Sequence, residues 1–178
     1  MCCGRCIAAV KKILEDADVG YTAVELGIAV INEDADETIF ESDLKKAGFG
    51  LIKTKEEDVV EKTKIAIRKL FFENKKIELN SFDLKNYLEA ETQLPYKRLS
   101  QIFSLKDNRT IEKYYILQRI EKVKSMIEET DLSFSDIAFE LGYNSLSHLS
   151  KQFKTIVGFS MKTYRLKPKN RRRFIDEI

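Results

Sequence analysis

The sequence holds one histidine, His148, among 178 residues, and no serine or cysteine nucleophile motif lies near it. Acid–base and nucleophilic catalysis therefore have little to work with. No GxGxxG, Walker-type loop or HExxH occurs, so dinucleotide binding, P-loop phosphate chemistry and zinc proteolysis lack their usual signatures. The carboxylates are scattered along polar helix faces, a pattern of solvation and ion pairing. No run of ~18 apolar residues is present to span a membrane. No basic-then-apolar leader opens the chain, and a cytoplasmic location is expected. With two prolines and seven glycines the chain has no Pro/Ser/Gly-rich tether, and neither a solenoid repeat nor a low-complexity segment appears. A non-enzymatic protein is expected.

What is present is a globular composition, 43% hydrophobic and 34% charged, enough for one large domain or two small ones. The net charge of +2 hides an asymmetry. Residues 1–56 carry 7 Lys+Arg against 11 Asp+Glu, whereas residues 57–178 carry 24 against 18. The basic excess lies in the second part and runs into the tail through Arg171, Arg172 and Arg173. A basic half of this kind suits a polyanionic partner.

Residues 137–165 read as a helix, a glycine turn and a second helix. Ser133 and Asp136 stand at capping-box spacing, and Ile137, Ala138 and Leu141 form the inner face of the first helix. Gly142 falls where a helix ends in a left-handed residue. Ser145 can cap the next helix, where Leu149, Phe153 and Ile156 make one buried stripe. Its other face presents Ser147, His148, Ser150, Lys151, Gln152 and Lys154, side chains able to reach base edges and phosphates from a major groove. Upstream, Ser81 can cap a helix through Leu84, Tyr87 and Leu88, and a Glu-Thr-Gln turn follows. Pro95 then opens a helix over Tyr96 to Phe103, with Leu99, Ile102 and Phe103 inside and Lys97, Arg98, Ser100 and Gln101 outside. Between the two units, Ile116, Ile120, Val123 and Ile127 recur at helical spacing over Thr110 to Glu129. A helix of that length is roughly 30 Å long, close to one DNA turn of ~34 Å.

The second unit closely resembles the second helix-turn-helix of AraC/XylS-type transcription regulators, matching at the Ile-Ala, Gly-Tyr, Ser, Phe-Lys, Gly, Ser and Tyr-Arg positions. The Arg119-Ile120-Glu121 run resembles the family's linker helix, and Glu56 to Glu73 its lead helix. Met161 departs from the pattern, standing where proline is common. Lys151 occupies a position where arginine or lysine is usual, keeping the charge without the planar fork. The resemblance implies an all-α DNA-binding domain over residues 57–178 with two helix-turn-helix units. It implies double-stranded DNA as partner, read at a bipartite site in two successive major grooves, with the transcription machinery as a further partner.

Residues 1–56 differ. All three cysteines, Cys2, Cys3 and Cys6, fall within five residues, a clustering that in a cytosolic protein suggests a metal or redox site. An amphipathic helix through Ile7, Val10, Ile13 and Leu14 follows, then two β-like runs, Tyr21 to Leu26 and Ile28 to Ile31, parted at Gly27. A helix through Ile39, Leu44 and Ala47 and a last strand over Phe49 to Thr54 complete the order. This is a ferredoxin-like α+β arrangement without its first strand. Cys3 and Cys6 make a CxxC at a helix start, where thiolates are stabilised and suit Cu(I) or Zn(II). The Met1-x-Cys3-x-x-Cys6 order resembles the metal loop of heavy-metal-associated domains, which implies Cu(I) or another soft ion at Cys3 and Cys6. A vestigial site in an effector-sensing domain and a redox CxxC are the alternatives. Because the missing strand would lie inside the sheet, a true start upstream of Met1 is expected.

Together these features predict a sequence-specific transcription regulator responsive to a soft metal, needing no cofactor for DNA binding. Its DNA contacts would come from Lys97, Arg98, Ser100 and Gln101, and from Ser147, His148, Lys151 and Gln152. The rival is a Cu(I) carrier whose helical half binds a protein.

Overall fold

The computed structural model of the chain describes residues 4–25, 27–32, 35–52, 54–72 and 82–166. The first elements are α1 (Gly4–Asp16), β1 (Tyr21–Glu25), β2 (Ile28–Ile31) and α2 (Glu37–Lys46). The two strands pair antiparallel with Glu25 opposite Ile28 and Val24 opposite Ala29. Gly27, at φ +80°, supplies the left-handed step that a tight hairpin turn requires. Val10 and Leu14 of α1, Val24 of β1 and Phe40 and Leu44 of α2 bury together with Val19 in a small apolar cluster. The Asp36 carboxylate starts α2 by accepting from the Thr38 N–H at 2.9 Å.

One expectation is corrected. Phe49 to Thr54 forms no strand among its described residues, and the sheet has two strands only. The Phe49 N–H instead donates to the Leu44 carbonyl at 2.8 Å, wrapping the end of α2, and Phe49 and Leu51 pack on the small cluster. A strand needs a neighbouring edge to bond to, and among the described residues only β1 and β2 pair. The ferredoxin-like sheet is therefore not seen.

From α3 onward the chain is helical. α3 (Lys55–Phe72) begins in a reciprocal cap: the Glu57 N–H donates to Thr54 Oγ1 and the Thr54 N–H to Glu57 Oε2, both at 3.2 Å. It buries Val60, Ala66, Ile67, Leu70 and Phe71. There follow α4 (Leu84–Thr92), α5 (Tyr96–Asp107), α6 (Ile111–Glu129), α7 (Phe134–Glu140), α8 (Leu146–Val157) and α9 (Met161–Arg165). α3 packs against α4, α5 and α6, and α6 against α5, α8 and α9. One cluster runs through all of them, with Leu88, Leu99, Phe103, Ile120, Phe153 and Tyr164 among its buried members. Each such side chain contributes about 1.5–3 kcal/mol by leaving water.

The helix ends explain the boundaries. Ser81 lies outside the described residues, and the cap of α4 is Asp83, whose carboxylate accepts from the Asn86 N–H at 3.1 Å. Gln93 ends α4 in the left-handed region at φ 55°, without a glycine. Thr110 caps α6, and Ser133 caps α7 in a full capping box with Asp136. Met161 opens α9 behind the cap of Ser160 and is buried. Met161 thus follows the cap directly and supplies a buried apolar side chain at the helix start.

Candidate nucleic-acid interface

Helix α8 is fixed from below and at its head. Leu149 and Phe153 are fully buried, and the Ser145 hydroxyl accepts from the His148 N–H at 3.1 Å. Gly142, at φ +68°, carries the chain away from α7. The buried stripe at Leu149 and Phe153 turns Ser147, His148 and Lys151 outward together, and all three are exposed. Lys154 and Thr155 extend that exposed face toward the end of the helix.

Gln152 is placed differently. It is half-buried, and its Oε1 accepts from the Tyr143 hydroxyl at 2.6 Å. Burial pushes the Tyr143 phenol up to about 12, against the opposing pull of the Arg119 charge. The hydroxyl therefore stays protonated and acts as a donor at neutral pH. One lone pair of the Gln152 amide oxygen is thereby used and the amide's orientation is fixed, leaving its second lone pair and its N–H groups for a ligand. Tyr143 also meets the His148 ring edge-on, at 5.5 Å and 79°. Arg119 of α6 lies 3.7 Å from the centre of the Tyr143 ring and donates from Nε to the Leu141 carbonyl at 2.7 Å. The turn between α7 and α8 is thus clamped to α6, within reach of a cation–π contribution of about 1–2 kcal/mol.

The first unit repeats the scheme. Leu99 and Phe103 are buried under α5, leaving Lys97, Arg98 and Gln101 exposed and Ser100 half-buried. Pro95 precedes the helix without a side-chain cap, and the orphan Tyr96 N–H finds the Glu89 carboxylate of α4 at 2.6 Å. The Tyr96 hydroxyl donates to Glu112 at the head of α6, which lowers the Glu112 carboxyl. At the far end Asp107 bonds both Lys64 of α3 and Arg109. Burial pushes the Asp107 carboxyl up, but bonds to Arg109 and Lys64 outweigh it and hold the group below its ordinary range.

The sequence-predicted residues therefore fall on two separate helices with α6 between, Lys97, Arg98, Gln101, Ser147, His148 and Lys151 set outward over a buried stripe and Ser100 and Gln152 half-buried beside them. Glu89 was not singled out from sequence, and Tyr143 only as part of the Gly-Tyr match, without its role in positioning α8. An aromatic after a glycine turn reads as core, and a glutamate on a polar face reads as solvated. Arg119 carried a signal only within the Arg119-Ile120-Glu121 run. Of the CxxC, Cys3 lies outside the described residues. Cys6 is half-buried in the first turn of α1. Among the described residues no three or more His, Cys, Asp or Glu side chains gather where they could hold a metal. No helix among them is long and apolar enough to cross a membrane.

Comparison with known proteins accords with this geometry. The sequence model of a helix-turn-helix domain matches residues 88–167. In fold the chain is similar to the C-terminal domain of AraT, a response regulator from Geobacillus stearothermophilus, at 18% identity and a TM-score of 0.52, over 66% of this chain and 98% of that one. Similarity also extends to the C-terminal domain of the two-component response regulator yesN from Fusobacterium nucleatum, at 24% identity and a TM-score of 0.47, over 57% and 96% of the two chains. A transcriptional regulator from Chromobacterium violaceum follows at 15% identity and a TM-score of 0.49, over 60% and 94%. No curated protein matches the chain.

Proposed function

We propose that the chain is a sequence-specific DNA-binding transcription regulator. The observation that carries this reading is α8, a helix pinned through Leu149 and Phe153 inside a helix-turn-helix domain and presenting Ser147, His148 and Lys151 outward. Residues 57–178 would bind a bipartite site. α8 would enter one major groove with Ser147, His148, Lys151 and Gln152, and α5 the next with Lys97, Arg98, Ser100 and Gln101. The 19 residues of α6 give about 28 Å between the units at ~1.5 Å per residue, compatible with the ~34 Å pitch of the duplex. Arg98 has the planar fork suited to a guanine edge, whereas Lys97 and Lys151 offer point charges for phosphate or for guanine. The same domain would meet the transcription machinery once seated on DNA.

Residues 1–56 would form a sensing unit whose Cys3 and Cys6 thiolates take up Cu(I) or another soft ion. Cys6 in the first turn of α1 fits a thiolate held by helix-start N–H groups. The experiment is a binding titration of the reduced full chain against DNA enriched from a random pool, with and without Cu(I). Salt-sensitive binding that shifts with copper supports the whole reading. Binding indifferent to copper retires the metal sensor and keeps the DNA assignment. No enriched sequence in either state overturns the regulator and favours the carrier that binds a protein.

A further inference from the structure

A cleft of about 480 Å³ opens where the hairpin meets the helical half. Its apolar lining is Ile7 of α1, Val24 of β1, Ile28 of β2 and Ile65 and Ala66 of α3, and its size is usual for small-molecule sites. Ile28 is 51% exposed, and its apolar surface faces the open space of the cleft.

The charges at the cleft are unequal in their surroundings. Glu25 and Glu91 are exposed, and Lys62, also exposed, is held by Asp58 of its own helix at 2.8 Å. Lys69 alone is half-buried, and among the described residues no carboxylate pairs with it. A half-buried ammonium without a counter-ion gains from any anion brought to it. Apolar lining beside such an ammonium selects for a molecule with both characters.

The position of the cleft matters as much as its lining. A methyl group placed on Gly27 would come within 2.2 Å of Ile65 Cδ1, so the hairpin turn is seated directly on α3. The same helix packs against α4, α5 and α6 and sends Lys64 to Asp107 at the end of α5. Whatever fills the cleft bears on the hairpin, on α3 and, at Glu91, on α4 together.

We propose that this cleft binds a small amphipathic anion, an apolar body with a single carboxylate or sulfonate, whose charge meets Lys69 and whose body lies against Ile7, Val24, Ile28 and Ile65. Occupancy changes the seating of the hairpin on α3 and so the DNA affinity of the helical half; this coupling rests on the regulator reading, whereas the site does not. The probe is 8-anilinonaphthalene-1-sulfonate, added to the reduced full chain and followed by fluorescence. Saturable binding at one site is expected. Lys69→Glu should weaken it tenfold or more, and Ile28→Ser severalfold, while Lys45→Glu on the exposed face of α2 leaves it unchanged. Circular dichroism melts confirm that each variant is folded. Non-saturable binding, or binding equal in folded Lys69→Glu, would overturn the site. A second titration with DNA separates the two ideas. A severalfold change in DNA affinity on saturation with the probe supports the coupling, and an unchanged affinity overturns it while the site stands. A chain that bound no DNA would overturn the regulator reading and the coupling with it, and the fluorescence result alone would judge the cleft.

Discussion

Adenine is read by a glutamine through a pair of bonds, the amide oxygen accepting from N6 and the amide nitrogen donating to N7. The Tyr143 hydroxyl occupies one lone pair of the Gln152 oxygen, so the amide keeps a second lone pair and its N–H groups but is held in the one orientation that this bond dictates. Tyr143→Phe keeps the ring under Arg119 and releases the oxygen. We expect a stability loss of under about 1 kcal/mol and a gain in tolerance for adenine at one position, measured by repeating the DNA selection with the variant. Lys151→Ala tests its neighbour. A loss of about 1–3 kcal/mol confined to particular bases at one position marks a base contact, and an equal loss on all sequences marks a phosphate contact. Asp107 makes a prediction about pH. Its carboxyl is held below the ordinary range in the folded chain by Arg109 and Lys64, so the unfolded chain binds the proton more readily. The resulting stability is present above the ordinary carboxylate pKa and is lost as pH falls through the lower, folded value. Asp107→Asn should lower stability by about 1–3 kcal/mol near neutrality, and the gap between the melting curves of variant and parent should narrow on acidification.

Elements differ in how openly the sequence announces them. Those with a repeating stripe and a polar cap were legible: α6 from Ile116, Ile120, Val123 and Ile127, and α7 and α8 from Ser133, Asp136, Gly142 and Ser145. Such signals are local, because an i, i+4 stripe and a hydroxyl at a helix start act within a few residues. The exposed faces of α5 and α8 were legible for the same reason, as the complements of their stripes. What was hidden depended on distant partners. Phe49 to Thr54 has strand-forming residues, but Phe49 is drawn back onto the end of α2 and Leu51 onto the small cluster, and Gln152 is turned by a tyrosine nine positions away and backed by an arginine on another helix. The left-handed end of α4 falls on Gln93 and that of α5 on Asn108, where no glycine marks the place. Gly142 does mark one. Gly142→Ala should cost about 1–2 kcal/mol from the positive φ, seen as a lower melting temperature, and should weaken DNA binding by misdirecting α8.

Across the whole molecule two apolar clusters divide the chain, one on α1, the hairpin and α2, the other from α3 to α9. The uneven charge follows the same division, with the acidic surplus in residues 1–56 and the basic surplus beyond. DNA binding should therefore be strongly ionic. If about four to six lysines and arginines touch phosphates, the logarithm of the affinity should fall against the logarithm of salt with a slope of about −4 to −5. A slope near zero in a salt series would remove the phosphate contacts on which the interface depends. The join between the clusters is the reciprocal cap of Thr54 and Glu57 at the head of α3. That cap ties Thr54 to the first turn of α3. With its head held by the cap and its side met by the hairpin turn at Ile65, the 18-residue α3 would take a push from the hairpin as a lever takes a load, at a point away from its fulcrum.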